Sequence, residues 1–200
     1  MDERILQILK ESRELSDIVG ILEDDLQRVI AVSDQKMEEL KDRPARAFMA
    51  EQQTWFRLSN RIVLSTIESI CFKLKQIALL TCGIWNRPLT VKQREKLEER
   101  DTDGNRRFLP VDANVKFTFE MYAYAFDCGY RLDCSRKEWE DFLEVVAKRN
   151  AITHPKSKAD LKMTVEDHSK AADTYDWFIS VFNELMKACR ATGKKMTIGA

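Results

Sequence analysis

One stretch of the chain gathers side chains able to do chemistry: Lys148-Arg149-Asn150-Ala151-Ile152-Thr153-His154-Pro155. Arg149 follows Phe142, Val145 and Val146 by seven, four and three residues. On a helix these positions share one face, so Arg149 ends an apolar stripe. An arginine there must be paired, or must face an interface or a cleft. Asn150 and His154 are four apart and stack along one side if the helix continues. Pro155 disfavours the helical conformation at His154, which frees the imidazole to leave the helix end and meet Arg149. The spot would then hold a permanent cation, an amide and a group that titrates near neutrality.

Those types suit RNA cleavage. The ribose 2′-hydroxyl can attack its neighbouring phosphate, so neither an external nucleophile nor a metal is needed. A histidine accepts or donates a proton near pH 7. Arginine is always charged and fork-shaped, and holds phosphate oxygens as charge builds on them. Asn150 would orient His154 or bind a phosphate oxygen. An acid–base pair needs two proton carriers and this cluster has one histidine, so a two-fold dimer would supply the second. Lys148, Lys156, Lys158 and Lys162 join Arg149 against a single Asp160, a local charge of +4 where an RNA backbone would pass. Arg106 and Arg107 are a second candidate phosphate contact. The chain holds only one other histidine, His168, expected to be exposed and structural.

The elements that must position this cluster are helical. Residues 2–43 repeat apolar side chains near a 3.6 period from Ile5 to Leu40, with Gly20 as the weak point. Asp42-Arg43-Pro44 marks a break. A second long helix is predicted over 45–82, on a stripe from Phe48 to Ile77. Either, if continuous, would reach on the order of 55–60 Å, so a kink or a protruding hairpin is expected. Thr90 can cap a short helix over 91–100, and Asp101-Thr102-Asp103-Gly104-Asn105 reads as a turn. A third main helix spans about 112–127. Ser135-Arg136-Lys137-Glu138 matches a capping box and opens the fourth, to about Ile152. Thr164-Val165-Glu166-Asp167 opens the fifth, to about Cys189. Trp139 and Trp177 are expected in the core.

Composition excludes several classes. The 200 residues balance 33 basic against 33 acidic side chains, so the chain is not a polycationic coat for nucleic acid. With 44% hydrophobic residues it is not a disordered acidic tail. Six glycines and four prolines leave little punctuation, which favours a few long helices. Residues 1–43 hold seven basic and twelve acidic side chains, so they carry −5 and the remainder +5. No run approaches the roughly 18 apolar residues of a membrane span, and the N-terminus lacks an apolar signal core, so a cytoplasmic protein is expected. Cys71, Cys82, Cys128, Cys134 and Cys189 have no paired spacing, and no metal site is expected from them. They read as reduced packing thiols, Cys128 and Cys134 flanking a turn at Gly129-Tyr130.

Arg149-Asn150-x-x-x-His154-Pro155, on the penultimate helix of an all-helical chain, resembles the HEPN superfamily (higher eukaryotes and prokaryotes nucleotide-binding), whose signature is Arg, four to six residues, then His. The resemblance covers most of residues 45–190, including the segment Arg106-Arg107-Phe108-Leu109-Pro110. It implies an all-α helical bundle over 44–200, with 1–43 as an acidic helical extension; about five main helices are expected in all, with a long N-terminal helix or helical hairpin. It also implies homodimers with the motifs facing each other, and metal-independent, cofactor-free endoribonuclease activity in toxin–antitoxin or antiviral defence, checked by an antitoxin or regulatory protein. Carried over by position, Arg149 and His154 are the catalytic pair and Asn150 the supporting polar residue.

Two other classes stay open. In one, the chain is a non-catalytic helical module whose acidic first helix recruits a partner or masks the basic motif of a neighbouring subunit. In the other, it senses a nucleotide through Arg149.

Overall fold

A computed structural model describes residues 3–39, 44–101 and 103–198. Asp42 and Arg43 of the expected break, and Thr102 of the expected turn, lie outside them. The described chain is all-helical: α1 Glu3–Glu39, α2 Ala45–Ile84, α3 Val91–Glu98, α4 Val111–Phe126, α5 Lys137–Thr153 and α6 Val165–Ile198, with a 3-10 turn at Lys158–Leu161 between α5 and α6. No described helix is long and apolar enough to cross a membrane.

The sequence explains most of the boundaries. Gly20 does not interrupt α1, since one helical glycine costs only about 1 kcal/mol against alanine. α3 begins at a complete capping box: Thr90 accepts from the Gln93 N–H, and the Gln93 side chain accepts from the Thr90 N–H. α6 starts on the same device, with the Asp167 N–H donating to Thr164 Oγ1 (3.0 Å) and the Thr164 N–H to Asp167 Oδ2 (2.7 Å). Asp101 Oδ1 accepts from the N–H groups of Asp103 and Asn105 and builds the expected turn.

Two boundaries differ from expectation. The Ser135–Glu138 box does not define α5, whose N-cap is Arg136, with no side-chain cap bond. This start puts Trp139, not Glu138, at the third helical position, where Trp139 is buried against Phe142 and Trp177. α6 also runs past Cys189 to Ile198, through residues such as Ala191 that favour helix.

The chain forms two compact units, each discontinuous in sequence. The first comprises 1–18, 67–133 and 179–200, and the second 19–66 and 134–178. Residues of the acidic N-terminal segment therefore belong to both. Leu15 is buried in the first unit and Leu26 in the second.

In the first unit, Ile67, Ile70, Leu74 and Ile77 of α2 are fully buried, as are Phe119 of α4 and Leu185 of α6. Lys75, 1% exposed, is sunk into the same core. It bonds Asn114 Oδ1 at 2.8 Å and pairs with the Glu99 carboxylate. Glu99 is the C-cap of α3 at φ 53°, in the left-handed region that non-glycine residues rarely enter. Lys73 faces Glu11 (3.2 Å) and Glu14 (3.1 Å) of α1, so part of that helix's acidity is matched within this unit. All five cysteines are free thiols. Burial pushes the Cys71 thiol up to about 12, and Cys128 and Cys189 face each other, Sγ to Sγ at 2.6 Å.

In the second unit, Trp139, Phe142, Val145 and Val146 of α5 are buried, with Trp177 and Phe178 of α6 and Val63 and Leu64 of α2. Lys170 of α6 lies 2.6 Å from Glu144, 3.2 Å from Glu166 and 3.9 Å from Asp141. Those carboxylates, Glu144 first, raise its affinity for its proton. Phe56, Ile152 and Met163 make a separate apolar cluster beside the end of α5.

Candidate functional site

The polar cluster lies at the C-terminal end of α5, in the second unit. The helix stops at Thr153, and His154 is its C-cap at φ −126°, ψ 62°, outside the helical region. Proline's clash with the preceding residue is the local cause. The His154 N–H still donates to the Asn150 carbonyl at 3.0 Å, so the last backbone bond closes while His154 itself is exposed and outside the helical conformation. Arg149, half-buried, donates from Nη1 to Asn150 Oδ1 at 3.4 Å. Thr153 Oγ1 folds back to the Arg149 carbonyl at 2.7 Å. Arg149, Asn150 and His154 thus share the last turn of one helix.

The basic residues around the motif divide. Lys156 and Lys158 are exposed in the segment after the helix. That segment is pinned by Asp160, whose Oδ2 accepts from the N–H groups of Lys156 (2.7 Å) and Ser157 (2.8 Å). These two bonds favour the charged carboxylate and hold Asp160 below the ordinary range. The Lys148 ammonium instead lies 3.0 Å from Asp167 Oδ2 and ties α5 to the start of α6. Burial pushes the Asp167 carboxyl up, but the Thr164 N–H and Lys148 outweigh it and hold it below its usual value. Arg106 and Arg107 are exposed and belong to the first unit, Arg106 bridging to Arg100 and the Arg107 N–H donating to the Glu99 carbonyl.

No family model, curated protein or solved structure matches the chain. The site therefore stands on its own geometry. His168, expected to be exposed, is half-buried and stacks flat on Phe56, ring centres 4.4 Å apart. The aromatic ring offers its imidazole an apolar face that a sequence pattern does not reveal. Trp139 and Trp177 are core residues, as expected.

The structure also adds residues that the motif did not point to. Gln53, Arg57 and Arg61 sit at intervals of four on α2, along one face. Arg61 Nη2 donates to the Ile152 carbonyl at 2.9 Å. Arg57 Nη1 donates to the Leu161 carbonyl at 3.0 Å. Gln53 pairs with both backbone groups of Met163, donating to its carbonyl (2.5 Å) and accepting from its N–H (2.6 Å). The spacing of these three was visible in the sequence, but their partners are backbone groups about a hundred residues away, which no residue type announces.

Proposed function

We propose that the chain is a HEPN-type, metal-independent endoribonuclease acting as a homodimer. The single observation that carries the reading is the end of α5: an arginine and an asparagine in contact, and a histidine released from the helix in the same turn. His154 accepts the 2′-hydroxyl proton as that oxygen attacks phosphorus. Arg149 holds the phosphate oxygens as negative charge accumulates on them. Asn150, bonded to Arg149, fixes the guanidinium or takes a phosphate oxygen itself. The P–O5′ bond then breaks, the leaving 5′-oxygen takes a proton, and a 2′,3′-cyclic phosphate remains. In a two-fold dimer the second His154 donates that proton.

Lys156 and Lys158 supply the long-range attraction for the RNA backbone. Lys148, already engaged by Asp167, serves chiefly to hold α5 to α6. Arg106 and Arg107 would contact RNA at the first unit. A cytoplasmic toxin or antiviral effector, checked by a partner protein, fits a nuclease with so few base-reading groups. The competing idea, that acidic α1 only masks a basic motif, is weakened by Glu11 and Glu14, whose charges already meet Lys73.

The test is cleavage of single-stranded RNA in EDTA by wild type, Arg149→Ala and His154→Ala. Wild type should leave a 2′,3′-cyclic end and spare DNA, which lacks the nucleophile. Each substitution should cost about 10²–10⁴-fold in rate. Equal cleavage by all three proteins overturns the proposal.

A further inference from the structure

The segment after α5 has to be rigid for the proposed chemistry, yet it is a loop containing a single 3-10 turn. Its two ends meet the same face of α2. At the first, Ile152 packs with Phe56 and Met163 while its carbonyl takes the Arg61 guanidinium. At the second, Leu161 and Met163 are held by Arg57 and Gln53. Between them, Asp160 gathers the N–H groups of Lys156 and Ser157. His154, Lys156 and Lys158 thus stand on a span anchored at both ends to one helix.

Charge matters at the same place. The C-terminal end of a helix exposes unpaired carbonyls, equivalent to roughly half a negative charge, which repels phosphate. A phosphodiester approaching His154 must come to such an end. Three carbonyls near this end have partners: Arg149 O takes Thr153 Oγ1, Asn150 O the His154 N–H, and Ile152 O the Arg61 guanidinium. Two of these donors are neutral, and Arg61 alone adds a full positive charge against the helix's negative pole.

We propose that Gln53, Arg57 and Arg61 are positioning residues of the ribonuclease site, with Arg61 the principal one. They clamp the span from Ile152 to Met163 onto α2, and Arg61 also offsets the negative end of α5. This rests on the ribonuclease reading above. None of the three need touch the reacting atoms. They act through His154, whose place they fix, and a misplacement of about 1 Å at a reacting group costs roughly 10²-fold.

The experiment has two readouts on full-length wild type, Arg61→Ala, Arg61→Lys and Gln53→Ala. The first, amide hydrogen exchange, does not depend on activity. Arg61→Ala and Gln53→Ala should speed exchange over 154–163 and leave α4 unchanged, and Arg61→Lys should restore most of the protection that Arg61→Ala removes. The second is the steady-state kinetics of RNA cleavage. Arg61→Ala should lower kcat about 10- to 100-fold with KM within about twofold, and Arg61→Lys should recover much of it. Unchanged exchange over 154–163 overturns the clamp. Faster exchange with unchanged kcat overturns the positioning role. A wild-type protein that cleaves no RNA overturns the ribonuclease reading and the catalytic part of this proposal, while exchange still decides the clamp.

Discussion

Arg61 on α2 donates to the carbonyl of Ile152 at 2.9 Å, although 91 residues separate them along the chain. The bond lies two residues before His154. The backbone just before His154 is therefore held by a residue outside the motif, while Pro155 inside it turns His154 from the helix. Local sterics take His154 out of the helix, and the α2 contact fixes where the vacated end is held.

The lysines after the helix should act on binding more than on chemistry. Lys156 and Lys158 have exposed side chains, and the Asp160 bonds that pin their segment go to backbone N–H groups, so replacing them leaves the loop anchored. The double substitution Lys156→Ala, Lys158→Ala is expected to weaken single-stranded RNA binding several-fold at low salt. The slope of log K against log salt should fall by about 0.7 for each phosphate that a removed lysine had neutralised. Binding titrations between 50 and 200 mM salt, roughly the range where counterion release is felt, check this. An unchanged slope would place the RNA elsewhere.

Asp167 makes the start of α6 sensitive to acid. Its folded-state carboxyl is held below the ordinary value of about 3.9. Its contribution is complete above that value and is lost as pH falls through the lower folded one. The melting temperature of Asp167→Asn should lie below wild type at pH 6, and the two curves should converge below about pH 4. A gap that stays constant to pH 2 would show that Asp167 does not act through its charge.

Lys75 should be the costliest single charge to remove. It is 1% exposed and joined to Glu99 and Asn114. Lys75→Ala leaves both partners without their cation and opens a cavity, an expected loss of about 3–5 kcal/mol. Lys75→Met keeps most of the volume and should cost less. Urea unfolding of the three proteins measures the difference, and a loss below about 1 kcal/mol for Lys75→Ala would contradict the buried-pair account.

Much of this molecule is legible in the sequence. Helical periodicity and scarce turn residues pointed to the all-α class, and Thr90, Thr164 and Pro155 marked ends where they fall. Each is a local signal, decided within four residues. The Ser135–Glu138 box has the same form, yet the N-cap falls one residue later, on Arg136. His168 also departs from expectation, its exposure decided by Phe56.

By itself, then, the sequence determined that the chain is helical, that His154 leaves its helix, and that Arg149, Asn150 and His154 occupy one turn. Those outcomes follow from backbone sterics and a repeat of 3.6 residues, which act at short range. Only the tertiary structure decided that Lys148 meets Asp167, that Lys75 is buried with Glu99, and that Gln53, Arg57 and Arg61 hold the span behind the motif. These are pairings between distant segments, fixed by which faces bury together. A charged or amide side chain can satisfy any backbone group it reaches, so its residue type does not name its partner.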